Sequence, residues 1–583
     1  MTRLHNEPAA FADEALEGFA AAHRRWVRPV PGGVVRAVPA PAGQVAVVVG
    51  GGSGHYPAFS GLVGQGLAHG AAVGNVFASP SAQQIRTVAR AAHRSGGVLL
   101  MYGNYAGDVL HFGQAAERLN AEGIPTRTLA VTDDVSSAGP AEAHKRRGVA
   151  GDLPVFKAAA AAAEQGLPLD AVAEVAAHAN ARTRSFGIAF SGCTLPGADH
   201  PLFTVPEGRM AVGLGIHGEP GIGEQGLPSA DEAAELLVTT LLKELPDGVR
   251  ELSGQRAAVI LNGLGSVKYE ELFVVYRRVA QLLTEAGVEP VDPEVGELVT
   301  SFDMAGVSLT LTWLDADLEA LWTAPADTPA YRKGTVTAQS APETGNPATD
   351  IPATDDTAAE PPLPEATDAS RAAGTTALAA LGAVKDVVDA HADELGRIDA
   401  VAGDGDHGIG MRRGSTAAYE AAVRAHASGA GAESLLSLAA DAWADKAGGT
   451  SGALWGVILR SVATALGNRE RPTSSAVAHG VLEASTGVRR LGGAQLGDKT
   501  MVDVLVPFAE TLGQHIATGA DLSTAWDAAA TEADRAAEAT ARLLPRMGRA
   551  RPHAQKSLGT PDAGAHSLAL IVRAVHPVLG SCR

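Results

Sequence analysis

One stretch decides how this chain can be organised. Between Pro325 and Ser370 the apolar periodicity disappears, and six prolines fall from Pro342 to Pro364. No aromatic residue occurs between Tyr331 and Tyr419. A segment of this kind cannot bury enough apolar surface to offset the entropy of ordering it. The reading is therefore a flexible, partly extended linker over 326–370, with one folded part over 1–325 and another over 371–583. At ~5–6 Å × √n, ~45 linker residues reach roughly 35–40 Å. That keeps the two parts at high mutual concentration and brings the pocket of a neighbouring subunit within range.

The two parts carry different hydrophobic periods. In the first, short β-branched runs (Gln44–Val49, Gly97–Tyr102, Ala257–Leu261) alternate with helical stretches such as Ser81–His93 and Gly113–Glu122. This alternation predicts α/β layers, with ligands gathering where strands end in loops. In the second, Leu378, Leu381, Val384, Val388 and Leu395 recur at helical spacing, and Glu433–Lys446, Thr473–Val488 and Ala525–Leu544 read as helices. An all-helical domain is expected there.

Bulk properties narrow the function classes. A formal net charge of -19 repels nucleic-acid phosphates, so no nucleic-acid partner is expected. Two cysteines, Cys193 and Cys582, exclude a disulfide framework and a cysteine-rich zinc site. Cys193 reads as a small packed residue. The opening residues show no signal-peptide core, and apolar runs such as Val45–Val49 are far too short to span a bilayer. The expectation is a cytoplasmic protein with no membrane partner.

Three N-terminal segments carry chemistry. Gly50-Gly51-Gly52-Ser53-Gly54-His55 follows a strand, and its glycines either expose backbone N–H groups to a ligand or form a tight turn. It lacks Rossmann spacing, and the chain contains no Gly-Lys dipeptide, so a Walker-type loop is absent. Asp108, in Asn104-Tyr105-Ala106-Gly107-Asp108, is placed either to accept a proton from a hydroxyl or to cap a helix. His217, in Gly213-Leu214-Gly215-Ile216-His217-Gly218-Glu219-Pro220-Gly221, reads as an exposed histidine, either a nucleophile or an ordinary loop residue.

In the second part, Asp399, Asp404 and Asp406 fall within eight residues, interspersed with glycines. They form either a site for a hard cation such as magnesium or an acidic surface turn. An EF-hand fails, because the fifth and twelfth positions counted from Asp404 are Gly408 and Ser415. Ala447-Gly448-Gly449-Thr450-Ser451-Gly452 offers backbone N–H groups to phosphates or simply packs helices closely. Gly497-Asp498-Lys499-Thr500-Met501 joins two helical stretches. Arg546, Arg549, Arg551 and Lys556 precede Pro561-Asp562-Ala563-Gly564, where cations would balance phosphoryl charge or sit solvated at the surface.

The N-terminal segments, with Phe77-Ala78-Ser79-Pro80-Ser81, Lys145-Arg146-Arg147-Gly148 and Cys193-Thr194-Leu195-Pro196-Gly197, resemble the ketose-binding domain of dihydroxyacetone kinases over nearly all of 1–325. The C-terminal segments resemble the nucleotide-binding domain of the same family over most of 371–583. The resemblance implies two α/β subdomains followed by an antiparallel helical barrel. It makes His217 the residue that binds the ketone carbonyl as a hemiaminal, Asp108 the general base, and His55 a substrate hydrogen-bonding partner. Gly52, Ser53, Gly54 and Gly103 line the implied pocket. It gives Mg²⁺ to Asp399, Asp404 and Asp406, and ATP contacts to His407, Gly408, Gly449, Thr450, Ser451, Met501, Arg549 and Asp562. Fusion of the two domains without a phosphocarrier domain resembles the ATP-dependent branch, and a homodimer is expected.

The ketose segment departs from the family pattern. Where dihydroxyacetone kinases usually read Lys-Asn-Tyr-Thr-Gly-Asp and then Leu-Asn-Phe, this chain has Gly103, Ala106 and His111 in place of the lysine, threonine and second asparagine, and Asn75 where fused members often carry aspartate. Loss of the lysine removes a donor and opens volume. The expected substrate moves to a tetrulose, D-erythrulose phosphorylated at carbon 4. Dihydroxyacetone kinase and a lyase forming cyclic FMN from FAD are the alternatives. A non-catalytic ketose sensor fits poorly, because His217 and all three aspartates are present.

Overall fold

The computed structural model describes residues 2, 4–336, 363–403, 405, 407–547 and 555–580. The chain divides into two compact units, Met1–Ala341 and Pro342–Arg583.

The first unit opens with helix α1 (Phe11–Ala22) and then builds a six-stranded sheet: β1 (Val27–Val30), β2 (Gly33–Arg36), β3 (Ala46–Ser53), β4 (Gly70–Val76), β5 (Val98–Gly103) and β6 (Thr126–Val131), in the order β1-β2-β4-β3-β5-β6. Strands β4, β3, β5 and β6 run parallel, which explains the near-continuous apolar runs of β3 and β5: both faces are covered. Helices α2 (Ala82–Ala92) and α3 (Ala106–Ala121) lie among these strands in the sequence. Helix α2 starts on a capping box between Ser81 and Gln84, at the boundary the sequence predicts. Two further helices follow, α4 (Asp152–Glu164) and α5 (Leu169–Ala181). The run Ala158–Ala163 in α4 has no bulk, so this buried helix shares one core with residues of both sheets.

The second sheet comprises β7 (Thr183–Ala189), β8 (Arg209–Val212), β9 (Gly223–Gly226), β10 (Gln255–Gly263), β11 (Val288–Gly296) and β12 (Gly306–Leu314), ordered β11-β10-β12-β7-β8-β9. Helices α6 (Ala230–Leu242), α7 (Tyr269–Glu285) and α8 (Ala316–Thr323) complete its connections. Among the described residues its only parallel pair is β10 with β11; the remaining pairs are antiparallel. Periodicity in the sequence does not reveal strand direction, and so gives the layers but not this change between sheets.

The expected linker begins too early. Short strands β13 (Ala326–Asp327) and β14 (Arg332–Lys333) pair with each other, Thr328 and Tyr331 are buried, and the Tyr331 hydroxyl donates to Glu294 at 3.0 Å. Residues 326–336 therefore belong to the first unit. At the other end, Thr367 caps a helix starting at Asp368, ahead of the expected boundary at 371. The expected linker's middle, 337–362, lies outside the described residues.

The second unit contains α9 (Asp368–Asp399), α10 (His407–Ala427), α11 (Ala432–Ala447), α12 (Gly449–Leu466), α13 (Ser474–Gly492), α14 (Val502–Ala517), α15 (Leu522–Ala539) and α16 (Ala563–Gly580). Each packs on the next, and α16 returns to α9, which closes the ring. Stacked Trp443 and Trp455, 4.9 Å apart, fill part of the core. Helix α16 is long and apolar enough to cross a membrane by length and composition. Here it is a member of the ring: Trp526 Nε1 donates to its Val572 carbonyl at 2.7 Å, and Arg573 pairs with Asp527 and Asp534 at 2.8 and 2.6 Å.

Candidate active site

Strand β3 continues through the glycine run to Ser53, so these glycines are strand residues rather than a turn after it. Their smallness serves close approach within the protein. A Cβ on Gly52 would lie 2.7 Å from the Ala78 nitrogen. Gly54, at φ +105°, would meet Phe302 and Phe77 at 2.6 and 2.7 Å. Phe77 and Phe302 themselves hold positive φ, +50° and +49°, and their amides donate to the Ser53 and Gly54 carbonyls. Two bulky residues kept in the left-handed region on either side of one segment mark a position the fold over-determines. That segment delivers His55.

His55 is buried and stacks on Phe77, ring centroids 4.9 Å apart. Its Nδ1 donates to the Thr300 carbonyl at 2.7 Å, and its Nε2 lies 2.9 Å from His217 Nε2. Burial, with the His217 charge adding to it, lowers the His55 pKa to about 3, so the ring is neutral. The sequence reading takes His217 to be exposed. Its side chain is in fact 13% accessible, enclosed by Phe77, Tyr105 and His55 at 4.7–5.0 Å. His217 Nδ1 donates to Glu219 Oε1 at 3.0 Å, and the His217 amide donates to Glu219 Oε2 at 3.0 Å. Burial works against the Glu219 charge, but His217 and Arg147 overcome it and hold the carboxyl well below the usual carboxylate range.

These partners fix the protons. A carbonyl only accepts, so His55 carries its proton on Nδ1 and presents a lone pair at Nε2. An ionised carboxylate only accepts, so His217 carries a proton on Nδ1. The 2.9 Å contact between the two Nε2 atoms is a hydrogen bond only with one further proton, and His217, backed by the Glu219 carboxylate, is the ring placed to carry it. With that proton in place, the free site holds one mobile proton between two rings.

Asp108 sits in the first turn of α3, whose N-cap is Tyr105; the capping alternative is therefore excluded. It is 8% exposed, and its Oδ1 has no hydrogen-bond partner. Burial raises its pKa to about 7, against the opposing hydrogen bond from Ser79. Ser53 is turned to the Gly74 carbonyl at 2.7 Å. Gly103 ends β5, and a Cβ there would meet the Tyr105 ring at 3.2 Å and the Gly148 carbonyl at 3.3 Å. His111 is fully buried and Ala106 is exposed, so those two departures stand in different surroundings. Cys193 is packed, and burial pushes its thiol up to about 11, which fits an unreactive residue.

In the helical unit, Asp399 ends α9 and its Oδ2 accepts from the Gly405 amide at 2.9 Å and the His407 amide at 3.4 Å. His407 opens α10 and its Nε2 meets Ser567 Oγ at 3.0 Å. Gly408 lets α10 lie directly against the Ala392 backbone of α9, a packing role. Gly448 alone separates α11 from α12, so Gly449, Thr450 and Ser451 form the first turn of α12. Space beside Gly449, at φ +57°, is open. Asp562 is half-buried; desolvation, with Asp503 and Asp399 adding repulsion, raises its pKa to about 7, and Lys499 opposes the rise. Met501 packs near Gly564, beside Asp562. The loop from Gly497 to Asp503 thus joins Asp399, His407 and Asp562. Asp404, Asp406 and Arg549 lie outside the described residues. Among those described, no group of three or more His, Cys, Asp or Glu is arranged to hold a metal.

Several residues received no role in the sequence reading. Glu219 stands two positions from His217 in the quoted motif, and a carboxylate so placed was a usable signal. Phe77, Tyr105, Phe302, Arg147, Asp134, Lys499 and Asp503 are brought in by tertiary structure, and spacing does not announce them.

Known proteins share this order of domains. A Dak1 domain matches residues 17–330 and a DAK2 domain residues 401–576. The L-erythrulose kinase of Pectobacterium atrosepticum is 63% identical, spanning 100% of this chain and 97% of its own. The D-erythrulose kinase of Mycolicibacterium smegmatis is 55% identical over 99% and 98%. The crystal structure of the C. freundii dihydroxyacetone kinase with AMP-PNP and Mg2+ is 27% identical, covers 99% of each chain and superposes with a TM-score of 0.51. With both domain models matched in order and full-length relatives above half identity, the chain belongs to the dihydroxyacetone kinase family.

Proposed function

We propose that this chain transfers the γ-phosphoryl group of ATP to the terminal hydroxyl of erythrulose held covalently on His217. The observation that carries the reading is the pair of opposed Nε2 atoms with Glu219 behind one and Thr300 behind the other. The mobile proton passes from His217 to His55 Nε2, which leaves a lone pair on His217. That pair attacks the ketone carbon, the carbonyl π electrons move to oxygen, and His55 returns the proton to that oxygen. The substituted ring is cationic and rests against the Glu219 carboxylate. Asp108 then accepts the proton of the terminal hydroxyl as that oxygen attacks phosphorus.

Erythrulose is supported by the two relatives' names and by Gly103, which offers no side-chain donor where dihydroxyacetone kinases carry lysine. Gly103→Lys is expected to reverse the preference towards dihydroxyacetone by roughly 10–200-fold in kcat/KM, the span of one missing or added small group. The overall reading is tested with ATP, Mg²⁺ and a panel of dihydroxyacetone, glyceraldehyde and both erythrulose enantiomers. Both are needed: D-erythrulose is the expectation, no sequence feature selects an enantiomer, and the relatives' names divide between L and D. A higher kcat/KM on dihydroxyacetone would overturn the substrate assignment.

Magnesium fits the chemistry of the helical unit. Asp399 offers carboxylate oxygen, Asp404 and Asp406 follow it in the sequence with two more carboxylates, and the repulsion that adds to burial in raising Asp562 is of the sign a cation relieves. Asp399, Asp404 and Asp406 would hold the ion, which supplies neutralisation of phosphate charge. Asp399→Asn should lower kcat by roughly 10²–10³-fold and remove the Mg²⁺ dependence of nucleotide binding. The ketose adduct should persist, read by ¹³C NMR of carbonyl-labelled substrate.

A further inference from the structure

Behind Glu219 stands a buried ion pair that touches neither His55 nor His217. Arg147 Nε and an η nitrogen reach Asp134 Oδ2 at 2.9 and 2.7 Å, with side-chain exposures of 11% and 6%. The other η nitrogen lies 3.9 Å from Glu219 Oε2. Asp134 Oδ1 accepts from the Ser136 amide and hydroxyl at 2.9 and 2.6 Å. Arg147 donates to the Gly213 carbonyl at 3.1 Å, and Ser136 Oγ lies at the same distance from it, at the root of the His217 loop. The pair therefore grips the loop and sets a cation beside the carboxylate that faces His217.

Such a pair divides its influence. Glu219 alone would favour the charged state of the His55–His217 ring pair. The Arg147 cation draws part of that carboxylate's field, and Asp134 in turn draws part of Arg147's. Among the other titratable groups of the site, the Tyr105 phenol donates to the Gly148 carbonyl, Asp152 is a buried carboxyl pushed well above its ordinary range, chiefly by burial, and Asp108, raised to about 7 by burial, titrates in the neighbouring window.

We infer that Arg147 and Asp134 are positioning residues that set how firmly the two rings hold their shared proton, and with it the pH window in which His217 becomes a nucleophile. The inference rests on the proposed anchoring role of His217, but its test needs no ketose.

The test is a titration of the free, full-length protein labelled with ¹⁵N-histidine, the ring-pair signals being assigned by their loss in His55→Asn and His217→Gln. Arg147→Met leaves Glu219 untempered, and the ring-pair midpoint should rise by roughly one pH unit. Asp134→Asn frees the Arg147 cation to act on Glu219, and the midpoint should fall. The double variant Arg147→Met/Asp134→Asn buries no unpaired charge and should return close to the parent. It keeps the test alive if a single variant does not fold, because a double variant whose midpoint departs from the parent by as much as a single one overturns the inference. The limb of the kcat/KM profile set by the ring pair should move with these midpoints. Shifts of the same sign in both single variants, or unchanged midpoints with reduced activity, would show a merely structural pair. An adduct that survives His217→Ala would instead remove the anchoring role and leave the titration result standing.

Discussion

His217→Ala is expected to abolish the ketose adduct altogether and to reduce kcat/KM to the level that loose binding in the pocket supports. The carbonyl carbon of labelled erythrulose should stay at its free ketone position in the ¹³C spectrum, where the parent protein shows a tetrahedral carbon. Nothing nearby replaces the lost atom. His55 is the adjacent ring, but its Nδ1 is committed to the Thr300 carbonyl, and its face is stacked on Phe77. The loss should be steeper in kcat/KM than in kcat, because a covalent anchor converts encounter into a fixed geometry. Folding should survive: the loop keeps its Gly215–Glu219 backbone bond and the Arg147 and Ser136 contacts to Gly213. Nucleotide binding should remain, in contrast to Asp399→Asn. Retention of a tetrahedral carbon in this variant would sink the anchoring assignment.

The same loop shows how far the sequence could be read. Its glycines and His217 stand out in the chain, but enclosure of His217 by Phe77, Tyr105 and His55 comes from three distant segments. An exposed histidine was the natural expectation from neighbours alone. The helices of the second unit were legible because each carries its own period and some their own caps: Thr473 and Asp521 accept from the amides three residues on. Closure of α16 onto α9 was implied by the family resemblance and by no local signal. The glycine run read as a ligand loop or a tight turn, yet its tight approach is to Ala78, Phe77 and Phe302. Composition marked the boundary between the units, and it overshot at both ends: Tyr331 and Thr328 are buried by partners that lie far back in the chain, and Thr367 already caps the helix that starts at Asp368.

Asp108→Asn should separate chemistry from anchoring. The adduct is expected to form normally, KM to change little, and kcat to fall by roughly 10²–10⁴-fold, the range for loss of a positioned general base. The surroundings of Asp108 suit a base, with an unpartnered Oδ1 in a buried site and a pKa raised to about 7, chiefly by burial. Only the ionised form accepts the hydroxyl proton, so kcat in the parent should rise with pH through a midpoint near 7 and then level, and that limb should vanish in the variant. Stability runs the opposite way. A folded-state value of about 7 lies above the unfolded carboxyl value, so the native protein binds more protons than the unfolded chain between the two, and stability declines as pH rises across that interval. Asparagine removes the decline. Thermal unfolding at pH 8 should therefore occur at a higher temperature in the variant than in the parent, while the two converge below the unfolded carboxyl value. A variant that is both inactive and less stable at pH 8 would mean that Asp108 holds the site together and does not act as its base.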